Sequence, residues 1–97
     1  MAVVVVSRWK GNPQDMRIFR EGAPNLKRLG AVAIRVGQCW VGPYAGQIYG
    51  AITFPDWEAY GKSVQAVLTD PESQRIYGEI IKAFELQERS VLMVEDL

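Results

Sequence analysis

The run Val3-Val4-Val5-Val6 constrains this 97-residue chain more than any other feature. Four β-branched residues in succession are stiff at χ1 and suit a strand better than a helix. Successive side chains of a strand point to opposite faces, so this strand is apolar on both. The last element, "LQERSVLMV" (Leu86–Val94), alternates at first and then turns continuously apolar from Val91. A sheet built from such strands needs cover on both faces, whereas an antiparallel sheet with one wet face alternates cleanly.

The first strand is expected to run to Trp9, where "GNPQD" breaks it. Asn12 then suits a helix N-cap, with Pro13 at the first helical position and Asp15 near the positive end of the helix dipole. Met16, Phe19, Ala23 and Leu26 follow as one helical stripe. Pro24 is expected to kink or split this helix near Glu21–Gly22, and Gly30 to stop it. "AVAIRVGQCWV" alternates as a strand, with Ile34, Val36 and Trp40 on one face and Ala33, Arg35, Gly37 and Cys39 on the other. "GPYAG" is a turn, and "QIYGAITF" completes a hairpin. The small residues Gly37, Gly50 and Ala51 mark either room for a molecule lying on the sheet or a bend.

Pro55 closes that strand, and Asp56 caps a helix with an apolar side of Trp57, Tyr60, Val64, Val67 and Leu68. Asp70-Pro71 stops it and starts another, in which Asp70 is the cap and Glu72 suits the first turn. Ile76, Ile80, Ala83 and Phe84 form the second stripe. The order strand, helix, strand, strand, helix pair, strand, with right-handed crossovers, sets all helices on one face of a four-stranded antiparallel sheet. The expected fold is therefore α+β, ferredoxin-like βαββ(αα)β, in one domain spanning residues 1–97.

The bare second face carries Val, Ile and Tyr side chains over several hundred Å², an area that marks an interface. A homodimer packed through that face would bury about 800 Å² per subunit. Eleven basic residues balance eleven acidic ones, which argues against a nucleic-acid or membrane partner. RNA recognition motifs share this strand order, but their basic-aromatic strand signature is missing. A single cysteine excludes an internal disulfide, and the short "MAVVVV" run lacks the charge and length of a signal peptide. A cytosolic location is the expectation.

The chain has no histidine. That removes the usual general base, the commonest metal ligand and the Ser-His and Cys-His nucleophile pairs. No cofactor and no metal are expected. Arg35, among small residues on a sheet face, would clamp a carboxylate or enolate-like oxygen, or else pair with Glu88 or Glu95. Tyr49 on the neighbouring strand, Trp57 and Tyr60 on the second helix, and Trp9 at a strand end complete the candidate pocket. Each has a packing role as its alternative. Cys39 is expected to be an inert buried thiol.

The chain resembles the dimeric α/β-barrel superfamily over its whole length in element order, most clearly at "AITFPDWEAY…LTDPESQRIYGEI". That segment is similar to the strand–helix–helix unit of small uncharacterised and monooxygenase-like members. The resemblance implies a homodimer that binds a small apolar or aromatic molecule between sheet and helices. It also allows a cofactor-free monooxygenase of the antibiotic-biosynthesis type, or an isomerase acting on an enolisable substrate. Haem-degrading relatives depend on a histidine that this chain lacks.

Overall fold

In the computed structural model, which spans residues 1–97, the valine run lies in the first strand, β1 (Ala2–Gly11). A 3-10 turn (Pro13–Met16) leads into α1 (Arg17–Arg28), then β2 (Ala33–Gln38) and β3 (Ile48–Phe54). The helix pair α2 (Trp57–Thr69) and α3 (Pro71–Ala83) follows, and β4 (Phe84–Val94) ends the chain. The strands form one antiparallel sheet in the order β2-β3-β1-β4.

The caps form as the residue types dictate. The Asp56 carboxylate accepts the Ala59 N–H at 2.8 Å, and the Asp70 carboxylate accepts the Ser73 N–H at 2.9 Å. These bonds satisfy donors that a helix N-terminus otherwise leaves orphaned. At the end of α1, Gly30 takes φ +114°. The Ala31 N–H then reaches the Leu26 carbonyl and the Gly30 N–H reaches that of Lys27, a Schellman ending that only glycine enters without strain.

The structure departs from expectation in two places. Pro24 does not split α1, which runs unbroken through it. The helix is held against α3 on both sides of the proline: a Cβ on Gly22 would come within 2.9 Å of Ile76 Cγ2, and Asn25 Nδ2 donates to Ser73 Oγ at 2.7 Å. Packing thus outweighs the loss of one backbone donor. Phe84 belongs not to the α3 stripe but to β4, which starts directly after Ala83 with Phe84 in extended geometry.

Register decides which face each strand residue takes. Val3, Val5, Ser7 and Trp9 turn toward the helices and are buried, as are Ile48 and Phe54, their partners on β3. Val4, Val6, Tyr49, Ala51 and Thr53 occupy the other face, which no element of the chain covers. Leu92 joins them opposite Val4 and is 46% exposed. On β4 the register shifts by one residue at Gln87. The bulge allows both Phe84 and Arg89 to share the helix-covered face, although they are five positions apart. No helix is long and apolar enough to cross a membrane.

Candidate functional site

The helix-covered face of the sheet is large at both ends and small in the middle. At one end Val3, Val5 and Phe54 pack with Ala31, Leu26 and Tyr60. At the other, Trp9, Ile48 and Phe84 pack with Ile18 and Phe19. Between them, Ser7 pairs directly with Gly50. A hydroxymethyl group beside a bare backbone cannot reach the helices, so the two clusters do not merge. A cavity of about 330 Å³ opens there, between the sheet and all three helices. That volume lies at the lower end of the range for small-molecule sites, roughly 300–1,000 Å³.

Sixteen of the 24 residues lining the cavity are hydrophobic and none is Asp or Glu, so its walls favour an apolar guest without a positive charge. Trp9, Phe19, Tyr60 and Tyr77 supply aromatic surface, and Ile76 and Ile80 come from α3. The polar side chains are few: Ser7, Asn25, Ser63, Ser73 and Arg89, with the hydroxyls of Tyr60 and Tyr77. Asn25 and Ser73 belong to a closed ring of hydrogen bonds. Arg28 donates to Asn25 Oδ1 and to Asp70 Oδ2, Asn25 donates to Ser73 Oγ, and Ser73 Oγ donates back to Asp70 Oδ2. The Arg28 hydrogen bond, followed by those from Ser73, holds the Asp70 carboxyl below its usual range. This ring ties α1 to the start of α3 and fixes one wall of the cavity.

The five residues singled out from sequence fall into two groups. Trp9 and Tyr60 line the cavity. Trp57 is one turn from Tyr60 and meets its ring edge-on at 5.6 Å, but it is 48% exposed and does not reach the cavity. Arg35 and Tyr49 project from β2 and β3 onto the open face, where they edge a shallow depression together with Val6, Gly37 and Ala51. Arg35 borders the main cavity from its strand, while Ile34 and Val36 carry the side chains that turn inward. The proposed pairing of Arg35 with Glu88 or Glu95 does not occur; Glu88 lies 3.5 Å from Arg8 instead. Arg8 also donates to Gln47 Oε1 at 2.6 Å and sits 3.6 Å from the Tyr44 ring centroid, which folds the hairpin loop toward the open face. Cys39 is only partly buried, with its thiol 3.5 Å from the Val41 carbonyl.

Arg89 escaped the sequence reading. Its strand segment showed alternation, but only the bulge at Gln87 and the pairing with Ser7 reveal that it faces the helices. Its Nε donates to Ser7 Oγ at 2.9 Å, and its guanidinium lies 5.7 Å from the Trp9 ring centroid.

A scan against protein-family models finds no match, and a search of curated proteins finds none either. Solved structures do match. SnoaB, a cofactor-independent oxygenase from Streptomyces nogalater, superposes with a TM-score of 0.75 at 15% identity, over 99% of this chain and 95% of its own. A dimeric ferredoxin-like protein from an uncultured marine organism gives 0.68 at 11% identity, over 98% of each chain. A NIPSNAP family protein from Agrobacterium tumefaciens gives 0.70 at 13% identity, over 99% of this chain and 95% of that one. The chain has the ferredoxin-like α+β fold that these proteins share. The resemblance to dimeric α/β-barrel proteins seen in its sequence holds at the level of the fold.

Proposed function

We propose that the protein binds a small apolar or aromatic molecule in the cavity between sheet and helices, as a homodimer joined through its bare sheet face. The observation that carries this reading is the Ser7–Gly50 pair. It keeps about 330 Å³ open at the centre of a domain with only 14 buried residues, which has little core to spare. The dimer rests on the uncovered side chains Val4, Val6, Ala51 and Leu92, and on the dimeric state of a protein with the same fold. Isothermal titration calorimetry with 2-naphthol, a neutral bicyclic aromatic, tests the binding reading. Saturation at one molecule per chain supports it, and a linear, non-saturating response up to millimolar concentration counts against it.

A second reading is a cofactor-free oxygenase, favoured by the likeness to SnoaB. Such an enzyme would convert a substrate CH2 group and O2 into a carbonyl and water, with the electrons coming from the substrate. The cavity lining contains no carboxylate, imidazole or thiol to act as a base. Proton removal would therefore fall to the hydroxyl of Tyr60 or Tyr77, or the substrate would have to be acidic enough to ionise by itself. Oxygen uptake that depends on both protein and a 1,8-dihydroxyanthrone probe, above the probe's own autoxidation, tests this reading.

A further inference from the structure

Arg89 differs from the other arginines that hold a fixed place. Arg8, Arg17, Arg28 and Arg75 form ion pairs with Asp or Glu; Arg20, Arg35 and Arg89 form none, and of these three Arg89 alone has a side-chain hydrogen bond within the protein. It is exposed, at the rim of the cavity, but it is tethered there. The bond from its Nε to Ser7 Oγ and the face of Trp9 hold the guanidinium on the cavity wall. That leaves its two terminal NH2 groups without a protein acceptor, since the Ser7 bond is the only one it makes.

Ser7 adds a third donor. It is 6% exposed, and its oxygen accepts from Arg89 while its own hydroxyl hydrogen has no acceptor. A buried hydroxyl with a spare hydrogen and an unpaired guanidinium thus converge at one spot. The wall around them contains no carboxylate, although the whole chain is electrically balanced. A planar guanidinium matches the two oxygens of a carboxylate, and hydrogen bonds to ionised acceptors are about twice as strong as neutral ones.

Resting on the binding reading above, we infer that the ligand is an aromatic carboxylate. Its anionic end is held by Arg89 and Ser7 and its ring lies between Trp9 and the apolar walls. Trp9 has two tasks in this arrangement, orienting the guanidinium and flanking the guest. The remaining ionisable side chains on the wall, Tyr60 and Tyr77, are not carboxylates and make no pair with the guanidinium, and the Arg35 side chain turns to the open face.

The test compares 2-naphthoate with 2-naphthamide, which has the same ring and no charge, by isothermal titration calorimetry at pH 7.5 and low salt. We expect 2-naphthoate to bind at least about tenfold more tightly, the factor of one charge-assisted hydrogen bond. Arg89→Gln should bring the ratio of the two affinities close to one. Because the wild-type ratio decides by itself, the outcome does not depend on that variant folding. Equal affinity for the two probes, or tighter binding of the amide, would overturn the carboxylate assignment and leave the cavity reading standing. Binding of neither probe would overturn both.

Discussion

Replacing Gly50 by valine separates a functional void from a loosely packed core. Gly50 has no positive φ, and a Cβ placed on it would find the Arg35 carbonyl as its nearest neighbour, 4.0 Å away. The strand therefore accepts a side chain there, and that side chain enters the cavity. Valine adds three carbons, each worth at most about 0.8 kcal/mol when taken out of water. Removing a glycine from the unfolded ensemble adds about 0.4–1 kcal/mol. Side-chain ordering and incomplete filling take back part of this, so a net gain of about 2 kcal/mol is expected. In a domain of this size that raises the melting temperature by roughly 8–16 °C. The assay is a thermal melt at fixed protein concentration, paired with a 2-naphthol titration of the same sample. A more stable protein that no longer binds 2-naphthol is the expected result, because the small residue is then present for the guest and not for the fold. Destabilisation by about 1–3 kcal/mol, the usual result of overfilling a packed interior, would show that no usable void exists there and refute the reasoning.

Other glycines should respond differently. Gly11→Ala drives a methyl into the Phe84 ring and to 2.8 Å from the Ala83 carbonyl, so it should cost about 1–3 kcal/mol in urea denaturation. Gly61→Ala, in α2 with open space around it, should instead stabilise by about 0.5–1 kcal/mol. The lowered carboxyl of Asp70 links stability to acid. Its contribution is complete above its ordinary value of 3.8 and is lost as pH falls through the lower folded value. From about pH 5 downward the wild-type melting temperature should therefore fall more steeply than that of Asp70→Asn, which keeps a capping side chain but no charge. Parallel slopes would show that the Arg28 and Ser73 bonds do not favour the ionised form. Val6→Lys places a charge in the middle of the bare face and should make the protein sediment as a single chain. Unchanged sedimentation as a dimer would move the interface elsewhere.

The parts of this fold that were legible in the sequence are those written in short stretches. Asp56 and Asp70 each precede a helix and accept the N–H of its third residue, and the spacing alone places both caps. The valine run signals a strand apolar on both faces, and β1 places Val3 and Val5 under the helices with Val4 and Val6 outside. Features that depend on distant pairing were not legible. The cavity exists because Ser7 meets Gly50, 43 positions further on, and neither neighbourhood announces the other. Arg89 reaches the covered face through a one-residue bulge that no local pattern marks. Arg35 and Tyr49 drew notice as polar groups among small residues, and the same alternation sends both to the open face. The split expected at Pro24 does not occur, because the close approach of Gly22 to Ile76 that holds the helix together is not written in the local pattern.

Methyl-detected nuclear magnetic resonance of the protein saturated with 2-naphthol would locate the guest directly. Intermolecular contacts from the naphthol ring to the methyl groups of Val36, Ile76 and Ile80 are the expected result, since these groups border the space above Ser7 and Gly50. Contacts confined to Val4, Val6 and Leu92 on the opposite face would contradict it.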